Sequence, residues 1–341
     1  LPGLARPSCG ASGGDGEILR PSWQPAGDAG RLNDIFTTGR RAEGPSMRSA
    51  TKPAVLATRP ARLALILIVS LTLLAATGIA ARPAAAQAGA RTAAVAVCTS
   101  ARHPRIAASM SAGIEHALAG RSSVAGLTAD DPAAGITCRL HQNWHFYSAS
   151  IVKVIILGAL LHWLMTEHRG LSPGQVALTR AMITQSSNAA ATTLWNELGM
   201  GRLQLFLNLA GMRQTELSYA WGLTLATAHD ELLLLRLLVT KNRVLDASSR
   251  AYALRLMAEV IPSQRWGVPA GAASGVTVHV KNGWLPYPDA GDWRINSIGD
   301  FTGHDIGYSI AMLTTGNPNM EYGIVTIQEV AGVINRYLGR I

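Results

Sequence analysis

A serine and a lysine three residues apart at the mouth of an apolar helix can form a nucleophile and the base that activates it. Phe146-Tyr147-Ser148-Ala149-Ser150-Ile151-Val152-Lys153 offers such a pair in Ser150 and Lys153. From Ala149 to Met165, Lys153 is the single Asp, Glu, Lys or Arg, and a helix apolar on every side is buried. Burial disfavours the ammonium form and lowers the lysine pKa. The i, i+3 spacing puts both side chains on one face of the first turn. The helix N-terminus adds a positive field that favours an alkoxide and a developing oxyanion. These are the needs of an activated serine. The competing reading is a capping Ser150 and a Lys153 that reaches out to solvent. S-x-x-K also recurs at Ser49-Ala50-Thr51-Lys52, so the motif alone decides little.

Two further patterns follow in order. Ser186-Ser187-Asn188 gives S-x-N between helical segments, and Lys281-Asn282-Gly283, followed by Trp284, gives K-x-G at the end of an expected strand. Singly, the first is a polar helix cap and the second a hairpin turn. In sequence with S-x-x-K they form a motif triplet. On these motifs the chain resembles the serine β-lactamase and penicillin-binding-protein superfamily, and within it the class A β-lactamases, over roughly 107–338. The resemblance implies Ser150 as the acylated nucleophile, Lys153 as base or proton relay, and Ser186 as proton donor to the leaving nitrogen. It further implies that Asn188 binds the substrate amide, Lys281 attracts its carboxylate, and the N–H groups of Ser150 and Trp284 form an oxyanion hole around Gly283. Neither a metal nor an organic cofactor is implied. The expected partner is a β-lactam or a peptidoglycan-type peptide, and the expected state a monomer.

The chain also departs from that pattern. Ser187 stands where the family usually has Asp, and Asn282 where it has a Thr or Ser whose hydroxyl helps hold the carboxylate. The 36 positions from Ser150 to Ser186 imply a trimmed helical lobe. Residues 218–223, where the family's omega loop should lie, contain no acid, and Glu216 precedes them. An acyl-enzyme that forms without a base to activate water should hydrolyse slowly. A slowly acylated sensor, or a non-catalytic binding module of the same fold, is therefore the alternative to a hydrolase.

Elements that would position these residues follow from periodicity. Apolar spacing predicts helices over 107–119, 150–167, 188–198, 201–210, 227–239, 248–260 and 321–338, with another starting near Pro173. Period-two patterns predict strands over 122–129 and 135–142, joined by a turn at Asp130-Asp131-Pro132, and over 276–282, 293–301 and 306–315. The implied fold is α+β, an antiparallel sheet of about five strands covered by N- and C-terminal helices, with an inserted all-helical lobe. Trp144 and Trp284 are candidate cleft residues, Arg294 a second cation for a carboxylate, and His279 a sheet-face residue.

The first 86 residues read as a leader. Residues 1–46 are rich in Gly, Pro, Arg and Ser and read either as a start placed too early, with Met47 the true beginning, or as an unstructured extension. Arg48, Lys52, Arg59 and Arg62 precede an uncharged run over 63–81, and Ala84-Ala85-Ala86 offers a cleavage site, so 47–86 reads as a signal peptide or N-terminal anchor. Residues 87–341 form the expected hydrolase domain, secreted or outside the cytoplasm, and membrane-bound only if the segment is not cleaved. Cys98 and Cys138 are the expected disulfide of an oxidising compartment; the competing metal reading of Cys138 and His141 has no second cluster. Cys9 lies in the leader, as does the G-x-S-x-G match at Gly10-Ala11-Ser12-Gly13-Gly14, which has no strand–turn–helix context. With 48% hydrophobic and 15% charged residues, bulk disorder is excluded. The formal charge of +9 does not indicate nucleic acid: ten of the 30 basic residues and five of the 21 acids precede Gln87, and the remaining +4 is scattered.

Overall fold

A computed structural model describes residues 97–286 and 292–339. The expected start at Met47, the apolar run, the cleavage site, Cys9 and the leader motifs lie outside the described residues. The chain opens with β1 (Cys98–Ser100) and α1 (Pro104–Leu118), followed by the hairpin of β2 (Val124–Asp131) and β3 (Ile136–Leu140). A short β4 (Phe146–Tyr147) leads into a 3-10 turn at Ala149–Ile151 and then α2 (Val152–Thr166). Next come α3 (Pro173–Thr184), α4 (Asn188–Ala210), β5 (Leu225–Ala226), α5 (Ala228–Val239) and α6 (Ala247–Ala258). The chain then returns to the sheet as β6 (Thr277–Pro286), β7 (Trp293–Gly303) and β8 (Ile306–Asn317), and closes with α7 (Met320–Leu338).

Six strands form one antiparallel sheet in the order β1-β3-β2-β8-β7-β6. The α+β class and the inserted lobe agree with the sequence reading; the sheet has one strand more than expected. That strand, β1, is only three residues of Cys-Thr-Ser, too short to show a period. It is held by pairing with β3 and by the disulfide between Cys98 and Cys138, which face each other across the two strands. The expected turn at Asp130-Asp131-Pro132 is also displaced. Both aspartates stay in β2, paired with Thr137 and Ile136, because Asp130 has Arg236 as an ionic partner and Asp131 accepts from the Ala134 N–H at 2.8 Å.

Helices α1 and α7 pack on each other and cover one face of the sheet, while α5 covers the other and links it to the helical lobe. The lobe is built around α2, which is buried along nearly its whole length. Gly158 on α2 makes room for the ring of Phe206 on α4, where a Cβ would collide with it. Among the described residues, 149–166 is the one helix long and apolar enough to cross a membrane, and most of it is buried inside the protein. Helix α4 breaks at Gly199 (φ 66°), which accounts for the two helical patterns read there. Helix α3 starts on a reciprocal cap between Ser172 and Gln175, with Pro173 in the first turn.

Candidate active site

Three elements meet at one end of the sheet: the turn entering α2, the loop entering α4, and the edge strand β6. The first is anchored from both sides. β4 pairs with β5, and the Ser148 N–H donates to the Thr224 carbonyl at 2.8 Å. Asn296 on β7, fully buried, donates its side-chain N–H groups to the carbonyls of Tyr147 (2.9 Å) and Ser148 (3.0 Å) and accepts from the Thr314 N–H. Ala149 adopts a left-handed φ of 47° immediately before Ser150, a strained conformation that persists only where the surroundings impose it. Ser150 itself is partly accessible, in the 3-10 turn. No side chain caps this helix.

Lys153 does not reach out to solvent. It is fully buried, with Nζ 3.0 Å from Ser150 Oγ, 3.0 Å from Ser186 Oγ, 2.6 Å from the Ser186 carbonyl and 2.8 Å from Asn188 Oδ1. Burial pulls its pKa down to about 7. Trp221 lies against it, ring centroid 4.9 Å from Nζ, with the indole N–H donating to Thr192 Oγ1 at 3.1 Å. The Ser186 carbonyl and Asn188 Oδ1 carry no hydrogen, so a neutral Lys153 donates its two N–H groups to them. Its lone pair is then left to face the serine hydroxyls, as a base requires.

Lys281 approaches Ser186 from the other side, Nζ 3.0 Å from Oγ, and also donates to the Asn282 carbonyl at 2.9 Å. It too is fully buried, and its pKa is held well below the usual lysine range by burial and by the nearby Lys153 charge. Among the described residues no carboxylate pairs with either lysine. Two ammonium groups around one hydroxyl would repel each other, so at most one is charged at neutral pH. Ser186 has φ 57°, a second left-handed residue at the site. Ser187 caps α4 by accepting from the Ala190 N–H at 3.3 Å, so its hydroxyl serves the helix.

The K-x-G motif sits in mid-strand rather than at a strand end, because β6 runs on to Pro286 in register with β7. A Cβ on Gly283 would lie 2.8 Å from both the Ser148 carbonyl and the Ser150 nitrogen, so only glycine lets the strand approach Ser150 this closely. The Asn282 carbonyl meets Lys281 Nζ and therefore points away from β7. Residues two apart on a strand share an edge, which turns the Trp284 N–H the same way.

The remaining candidates take other parts. Trp284 lies beside Trp266, centroids 6.0 Å apart, whereas Trp144 stacks on His141. Arg294 is buried with its guanidinium 4.7 Å from the Tyr147 ring centre. His279 is spent on the Leu254 carbonyl and Thr302, and burial lowers its pKa. The Glu216 carboxylate lies 3.7 Å from His145. Cys138 is committed to its disulfide, which removes it as a metal ligand. Asn296, Trp221 and Gln264, whose side-chain N–H donates to the carbonyl of Gln185 next to Ser186, were not singled out by motif. Nothing local marks them, because each acts across the fold.

The β-lactamase enzyme family profile matches residues 170–338, a span that holds Ser186, Asn188, Lys281 and Gly283 and begins after Lys153. Solved structures similar along the whole domain include the TLA-3 extended-spectrum β-lactamase, 17% identical with a TM-score of 0.61, covering 68% of this chain and 99% of its own. Residues 170–338 thus match the β-lactamase enzyme family, and the described domain shares the fold of serine β-lactamases and of PBP-A. A class A β-lactamase from Bacteroides cellulosilyticus DSM 14838 is 14% identical (TM-score 0.59, 68% and 98% covered). PBP-A is 18% identical (TM-score 0.60, 68% and 96% covered), and a mutant of PBP-A is an acyl-enzyme complex with penicillin G. No curated protein sequence matches the chain. At these identities the shared feature is the fold. Within that fold, Asn296 supports the turn that carries Ser150. Asn296→Ala would remove the side-chain donor from the Tyr147 carbonyl and the acceptor from the Thr314 N–H, while the Ser148 carbonyl keeps the Ile151 N–H, so we expect a loss of roughly 1–3 kcal/mol in urea unfolding.

Proposed function

We propose that the protein is an exported serine hydrolase that forms an acyl-Ser150 intermediate with a β-lactam or a cell-wall-type peptide amide. The functional domain begins near Gln87. One observation carries this reading: a fully buried Lys153, its pKa lowered to about 7 by burial, lies 3.0 Å from both Ser150 Oγ and Ser186 Oγ. Lys153 takes the Ser150 proton as Oγ bonds to the carbonyl carbon. The negative charge on the carbonyl oxygen is met by the N–H groups of Ser150 and Trp284. The carbon–nitrogen bond then breaks, and Ser186, polarised by Lys281, passes the proton to the leaving nitrogen. Every bond change is matched by a proton held on the chain's own groups, with no change of oxidation state.

A slow second step is favoured by what stands over Lys153. The ring of Trp221 occupies that position, and Glu216 is turned to His145. Neither activates a water beside the ester. The acyl-enzyme therefore persists, which suits a surface sensor as well as a sluggish hydrolase.

The test is the pH dependence of acylation by a fluorescent penicillin. Below its pKa Lys153 is an ammonium and cannot accept the Ser150 proton. The second-order rate should therefore rise nearly tenfold per pH unit and level off above about 7. A rate independent of pH from 5 to 9 would remove Lys153 as the base.

A further inference from the structure

We propose that the Lys281–Trp284 end of the cleft takes a neutral, apolar group, so that the substrate carries no free carboxylate beside its scissile nitrogen. The inference rests on the acyl-Ser150 reading and names the substrate class of that site. A carboxylate needs a cation or several free donors, preferably charge-assisted ones. Around Asn282 the donors of three side chains, Asn282, Ser297 and Lys281, are already spent. The side-chain amide of Asn282 donates one N–H to the Gln264 carbonyl and the other to the Trp266 carbonyl, each at 2.8 Å. What remains at position 282 is an acceptor, Oδ1, buried and without a donor; Gln264 Oε1 is in the same state.

The strand neighbour of Asn282 gives no help. Ser297, directly opposite on β7, has its Oγ on the Val268 N–H at 2.9 Å. Lys281 is enclosed and committed to Ser186 and the Asn282 carbonyl, and burial beside Lys153 favours its uncharged form. Both Asn282 bonds also fasten the loop that brings Trp266 to Trp284, so the same side chain that withholds donors builds an aromatic wall. A neutral amide or ester flanked by apolar atoms is what this end accommodates.

The experiment compares penicillin G with its methyl ester, following adduct mass on the wild-type protein, with each rate divided by the compound's hydroxide hydrolysis rate. We expect the ester to acylate Ser150 at least as fast as the free acid. Asn282→Thr frees the site from the internal amide and supplies a hydroxyl, and should move the ratio about tenfold or more toward the acid. Asn282→Ser serves if the threonine variant has a lowered melting temperature. A wild-type preference for the free acid of about tenfold or more overturns the proposal while leaving acyl-Ser150 intact. An unchanged ratio in both folded variants overturns the assignment to Asn282. No adduct from either compound overturns the acyl-serine reading and this inference with it.

Discussion

Lys153→Met should lower the rate of Ser150 acylation by about a thousandfold, in the middle of what a positioned base contributes. Methionine fills most of the same volume, so the lobe should stay packed around α2. Stability moves in the opposite direction to activity. The folded-state lysine pKa of about 7 lies below the ordinary 10.5, so burying the ammonium opposes folding below pH 10.5. That opposition grows as pH falls and levels off below about 7. Lys153→Met removes it, and the variant should unfold at higher urea than the wild type at pH 6, with the gap closing as pH rises toward 10. Rates by adduct mass and midpoints by urea titration check both parts. A methionine variant that acylates normally would leave Ser150 without its assigned base.

The second large effect belongs to Gly283. A methyl group there would fall 2.8 Å from two backbone atoms of the nucleophile turn, and backbone gives way less readily than a flexible side chain. In Gly283→Ala, either β6 retreats or the Ser150 turn shifts, and the Ser150 and Trp284 N–H groups no longer converge. Acylation should fall about 100-fold or more, the size of effect seen when one oxyanion donor is lost. Stability should fall by only about 1–3 kcal/mol, since the overpacking is confined to one contact. Gly283→Ala acylating within about threefold of wild type, at equal folded fraction, would show that the close approach of strand and turn has no catalytic part.

What the sequence made legible, and what it did not, follows the range of each signal. Ser150, Lys153, Ser186, Asn188 and Lys281 could be singled out because serine, lysine and asparagine at fixed short spacings are local patterns. The structure brings their side chains to one hydroxyl-centred cluster. Helix α2 was legible because a run without charge must be buried. Asn296 was not legible, since its partners at Tyr147 and Ser148 lie almost 150 positions away. Trp221 was read only as part of a segment lacking an acid, and its contact with Lys153 depends on how the chain before β5 folds back. Asn282 was visible as a departure from the family pattern. That its amide is consumed by the carbonyls of Gln264 and Trp266 requires the loop in place. The strand β1 escaped because pairing and a disulfide, rather than residue pattern, hold its three residues.

The measurement that bears most directly on the central claim is intact mass after incubating the protein with penicillin G, beside Ser150→Ala. The account predicts one added penicillin on the wild type, still present after the free compound is removed, and none on the variant. Unmodified wild-type protein with undiminished penicillin, or an equal adduct on Ser150→Ala, would contradict it.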